Sequence, residues 1–131
     1  YIKDLEIEVK CLHGICQTQI IPVATVYQTR LAEAISETRE ALGNKADLSA
    51  QREILGRIVE LINKVHGTRK EILAEMEKAA AIHDEQKKAE FLSGKVKMKM
   101  SELRSYVDEL EVLMDDELWP LPKFWEMLFI C

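Results

Sequence analysis

Cysteine is scarce in this chain of 131 residues, and its three copies, Cys11, Cys16 and Cys131, have no framework spacing. An odd, irregular set does not build a disulfide scaffold, so these are read as reduced thiols of a cytoplasmic protein. Long apolar runs are missing too: none approaches the ~20 residues that span a bilayer, so no membrane partner is expected. Positive charge falls short of negative, 18 Lys and Arg against 23 Asp and Glu, for a formal charge of −5. Phosphate binding needs a basic face, so nucleic acid is not expected as a partner. Glycine-rich phosphate loops, nucleophile elbows and paired catalytic carboxylates are absent, so the segment is not expected to be an enzyme by itself. No internal repeat or low-complexity linker divides it, and residues 1–131 read as a single helical domain. The first residue is Tyr, which fits a piece of something longer.

What is present is apolar periodicity. Ile2, Leu5, Val9, Leu12, Cys16 and Ile20 recur every three or four positions and share one helical face. Pro22 lacks an amide donor and its ring clashes with the preceding turn, so the helix is expected to kink or restart there. Tyr27, Leu31, Ile35, Thr38 and Leu42 form the next stripe, closed by a left-handed cap at Gly43-Asn44. Asp47 or Ser49 can cap the third run, in which Leu55, Ile58, Ile62, Val65, Ile72, Met76 and Ala79 keep the rhythm. Arg69 stands in that run where an apolar residue is due. Unbroken from Leu48 to Ile82, this helix would be about 50 Å long, with Gly56 and Gly67 as its bending points. Ser93-Gly94 reads as a break. Val96, Met100, Leu103, Val107, Leu110, Met114 and Leu118 then carry a last helix.

None of these helices can keep its stripe dry alone. The expected fold is all-α: a bundle of three to four long, mostly antiparallel helices with shallow crossings, ending in a Pro-rich aromatic C-terminal tail.

Candidate chemistry is thin. Cys11, His13 and Cys16 lie close in sequence, but at 100° per residue they diverge around a helix, whereas zinc wants convergent ligands. A small metal binder or enzyme built on them would carry stoichiometric zinc or iron. His66 and His83 sit near the inward seam beside Arg69, as polar residues at a bundle edge. Asp108, Glu109, Glu111, Asp115, Asp116 and Glu117 flank an apolar seam and read as a solvated face, with no Glu-x-x-His pair to hold a bundle metal. Lys87, Lys88, Lys95, Lys97 and Lys99 form a local basic run suited to solvent or an acidic protein patch.

The tail is the most informative stretch. Five of the eight aromatic residues lie between Tyr106 and Phe129. Leaving so much apolar surface wet is costly at about 25 cal/mol per Å², so the tail must fold back or dock on another surface. Trp119, Pro120, Pro122, Phe124, Trp125 and Phe129 are its candidate interface residues.

Leu103-Arg104, Asp108-Glu109-Leu110-Glu111, Trp119-Pro120-Leu121-Pro122 and Glu126-Met127-Leu128-Phe129, in that order, resemble the carboxyl end of type III glutamine synthetases. The segment Gln19 to Leu31, QIIPVATVYQTRL, is similar to that family's I-x-P-A-x-x-x-Y-x-x-x-L element. The family has a polar pair after W-P-x-P, where this chain has Phe124-Trp125. The resemblance implies a parent enzyme that joins ammonia to glutamate with ATP and magnesium or manganese. Its catalytic carboxylates would lie outside these residues, so no catalytic, cofactor-binding or metal-binding residue is carried over. The partners implied are the parent's own catalytic domain and neighbouring subunits of a homo-oligomer, with an oligomer-stabilising role for this piece. The competing expectation is a free-standing helical-bundle module that binds a protein partner through its aromatic tail.

Overall fold

A computed structural model describes residues 2–115 and 117–119 of the chain. They form α1 (Ile2–Ile15), α2 (Ile21–Leu42), α3 (Ser49–Ala80), α4 (Glu85–Phe91) and α5 (Lys97–Leu113), with no strand among them. Wide π-helical turns, Cys16–Ile20 and Leu92–Val96, join α1 to α2 and α4 to α5. The elements therefore compose three long rods: residues 2–42, 49–80 and 85–113. At 1.5 Å per residue the first is about 60 Å long.

The π-turns replace two breaks expected from sequence, at Pro22 and at Ser93-Gly94. Leu12, Cys16, Ile20 and Ala24 are all buried, and so are Leu92, Val96 and Met100. Each run steps by four residues. At 100° per residue a four-residue step overshoots a full turn by about 40°, so an ideal helix would rotate such a stripe out of the core. Widening one turn absorbs the surplus and keeps the stripe inward. The wide turn also meets the needs of Pro22. The Ile21 amide reaches back to the Cys16 carbonyl, and the Thr18 hydroxyl donates to the Gly14 carbonyl at 2.7 Å.

The connections follow the local chemistry. Gly43, at φ 68°, ends α2 in the left-handed region that only glycine enters freely. The Asp47 carboxylate accepts from the Ser49 amide (3.1 Å) and hydroxyl (2.7 Å) at the mouth of α3. After α3 the backbone opens briefly, and Asp84 caps α4 by accepting from the Gln86 amide at 2.9 Å.

α3 is the central rod, packed on α2 along one side and on α5 along the other. Leu5, Val9, Leu12, Cys16, Ile20 and Ala24 from the first rod meet Ile58, Leu61, Val65, Ile72 and Ala79 from the second. The third rod contributes Leu92, Val96, Met100, Leu103, Val107, Leu110 and Met114 to the same core. Of the expected second stripe, Tyr27, Leu31, Ile35 and Thr38 are half-buried, while Leu42 is exposed.

The α3–α5 contact is antiparallel. Arg57 pairs with Glu109 through two bonds of 2.5 and 2.6 Å. Lys64 lies 5.4 Å over the Tyr106 ring, and Lys99 reaches Glu71 at 2.7 Å. As numbers rise along α3 they fall along α5. Residues 57, 64 and 71 are heptad-spaced, and they hold one partner across roughly 21 Å of helix, as a shallow crossing does. Lys99 is thus an ion-pairing residue at this seam.

Replacing Leu61, fully buried in the central rod, by Ala should cost about 2–5 kcal/mol of unfolding free energy, measured by urea denaturation. Hydrogen bonding to Arg57 holds the Glu109 carboxyl below its ordinary range. A lowered folded-state pKa gives stability that is present above the ordinary carboxylate range and lost as pH falls through the lowered value. Glu109→Gln should therefore lower the urea midpoint at neutral pH, and the gap from wild type should close on acidification.

Candidate functional site

Of the six tail residues, Trp119 lies within the described residues; Pro120, Pro122, Phe124, Trp125 and Phe129 lie outside them. Trp119 belongs to the buried core, 7% exposed, in a turn where its amide and that of Leu118 both donate to the Asp115 carbonyl. Its indole Nε1 is buried without a hydrogen-bond partner.

The polar residues singled out from sequence separate into different places. Cys11 is exposed and Cys16 buried, which agrees with their divergence around the helix. His83 is exposed, beyond the end of α3. Among the described residues no three His, Cys, Asp or Glu side chains converge as a metal site would require. The acidic cluster is not wholly a solvated face. Glu111 is buried, at 7% exposed, and Asp108 is half-buried, its carboxyl pushed up by burial and by the neighbouring Glu111 charge.

One place does gather polar groups around a buried charge, although His66, expected near the inward seam, is itself exposed. Arg69 takes a core position on α3 and is only 8% exposed. Its Nη2 donates to His66 Nδ1 at 2.7 Å. Arginine has no acceptor, so this imidazole nitrogen must be unprotonated. The Arg69 Nε is buried with no partner. It borders a cavity of about 10 Å³ shared with Val9, Leu12 and His13 of α1, Ile72 of α3 and Met100 of α5. His13 Nδ1 is likewise buried with no partner. Cys16 feels the same cation: burial pushes its thiol up to about 11, and the Arg69 charge opposes that shift without cancelling it.

Such a site has donors and a fixed positive charge but no poised nucleophile, since a thiol with so high a pKa stays protonated near neutrality. The sequence signal was the polar residue at a seam position; the approach of His13 and Cys16 from α1 needed the tertiary fold. Treatment with iodoacetamide near pH 8 should alkylate exposed Cys11 readily and leave Cys16 unmodified until the chain unfolds, as peptide mass spectrometry would show.

Residues 1–39 match the family model described as the glutamine synthetase C-terminal domain. The chain is 28% identical to the type-3 glutamine synthetase of Dictyostelium discoideum over 99% of its own length. It is 32% identical to a glutamine synthetase of Bacteroides fragilis (strain YCH46) over 98% of its length. In both cases it spans 18% of the relative, less than a fifth of that protein. The first rod thus matches a glutamine synthetase C-terminal domain, and the chain along its length is similar to part of two glutamine synthetases, one of them named type-3.

Proposed function

We propose that these 131 residues form a single helical domain at the C-terminus of a longer glutamine synthetase. Its role is structural: it packs on the enzyme's own catalytic domain and on neighbouring subunits of a homo-oligomer. The observation that carries this reading is the end-to-end match to glutamine synthetases of which the chain spans only 18%.

The parent reaction is the ATP-dependent ligation of ammonia to glutamate with magnesium or manganese, in the cytoplasm. The described residues do not fit either cofactor. No three carboxylate, imidazole or thiol groups converge, and the buried Arg69 is the lone cation in a cavity of about 10 Å³, far too small for a nucleotide. No step of the ligation is assigned to them, and catalytic groups belong to the remainder of the longer protein.

Two features support a scaffold role. Three long rods with a shared core present a rigid, extended body, suited to bracing large subunits. The W-P-x-P segment that follows α5 begins with a tryptophan held in that core. Pro120, Pro122, Phe124, Trp125 and Phe129 are the contact residues in this reading, while Trp119 serves the domain's own core.

Deleting the domain from the longer enzyme should shift its assembly toward smaller species in light scattering and lower its thermal midpoint. Unchanged assembly, stability and kinetics would end the proposal.

A further inference from the structure

We infer that Arg69 is the receptor for a carboxylate supplied by the remainder of the longer protein, an inference that rests on the reading of this chain as one domain of that enzyme. The first ground is charge. A guanidinium stays protonated under all conditions where the protein folds, and this one is 8% exposed. Its polar partner among the described residues is the neutral, accepting face of His66. The two carboxylates next along the helix pair with lysines, Glu71 with Lys99 at 2.7 Å and Glu75 with Lys78 at 3.4 Å, the second Glu75 oxygen being buried without a partner. A cation taken out of water and left without a counter-charge destabilises its surroundings strongly.

The second ground is the shape of the space beside it. The Arg69 Nε–H is buried and unpartnered, and so is His13 Nδ1 across the same cavity. In the tautomer that carries its proton on Nδ1, His13 donates too, which gives the lining of this cavity two unpartnered donors. About 10 Å³ accommodates a single oxygen atom. A water there would satisfy the donors and leave the charge uncompensated. A carboxylate oxygen satisfies both, through the stronger charge-assisted bonds. The cavity cannot enclose a whole metabolite but is partly open, so the tip of an Asp or Glu side chain from outside fits it. Most of the related enzymes' length lies outside this chain, 18% of each relative being covered, which leaves ample chain to supply that side chain.

The test is a reversal of sign. Arg69→Met removes the charge and keeps the length of the side chain. In the 131-residue chain alone it should raise the thermal midpoint by a few degrees, because an uncompensated buried charge is gone. In the full-length enzyme it should lower the midpoint by a similar amount, because the arriving carboxylate loses its partner. A decrease in both proteins would mean that Arg69 is already compensated within this chain, and an increase in both that no carboxylate arrives; either result overturns the inference. Arg69→Gln, which also removes the charge and retains hydrogen bonding, serves if the Met variant does not fold. Sodium acetate, compared with sodium chloride at equal ionic strength, probes the site independently of the larger protein. Stabilisation of the wild-type chain by acetate, absent in Arg69→Met, supports a carboxylate site even if deleting the domain leaves the enzyme's assembly unchanged. Acetate stabilisation without the sign reversal in the full-length enzyme would overturn the protein-borne source in favour of a free carboxylate.

Discussion

The central rod, α3, depends on being covered from two sides at once. Its buried residues, from Ile58 through Ala79, turn toward both the first and the third rods. Neither neighbour alone could cover so broad a surface, and an isolated helix of this length gains little from propensity in water. The rods are therefore stable only together. The bundle's long contacts run along neighbouring antiparallel helices joined by short turns, so partners are close in sequence near each turn and as much as 52 positions apart away from it, as Arg57 and Glu109 are.

Within that frame, the two π-turns solve a geometric problem. Apolar residues four apart drift round an ideal helix, and the first and third rods each contain such a run across a wide turn. One residue absorbed at each turn restores the stripe to the core. Hydroxyl-to-carbonyl bonds from Thr18 and Thr25 support the rod around Pro22. A proline that would end an ordinary helix is tolerated because the backbone before it is already widened.

Arg69 is one of three polar side chains buried among the described residues, beside Thr68 and Glu111, and the only cation of the three. A leucine at its position would pack without electrostatic cost, as buried ion-to-hydrophobe replacements show in other proteins. Keeping a guanidinium there, with His66 as its bonded neighbour and His13 and Cys16 nearby, makes sense if its charge is met from outside. The bundle then acts as a body shaped to be completed by another surface, in keeping with a terminal domain of a larger enzyme. The seam of ion pairs between α3 and α5 differs in kind: those pairs are half-exposed and set register, with modest energetic weight.

Periodicity in the sequence determined the fold class and the inward residues of α5, because burial of a helical stripe follows directly from a repeat of three and four; it left open whether α3 would run unbroken past Gly56 and Gly67, as it does. It also marked Arg69 as a polar residue in an apolar place. The W-P-x-P element and the Gln19–Leu31 segment carried the resemblance to glutamine synthetases. Tertiary structure alone decided that Pro22 and Ser93-Gly94 would widen a helix rather than break it, because that outcome depends on a core that rewards keeping the stripe inward. Only the packed bundle, likewise, could bury Leu61 and Glu111 and bring His13 and Cys16 to Arg69. Those residues are more than fifty positions apart in the chain, and a one-dimensional pattern holds no record of which turns of two antiparallel rods come to lie side by side.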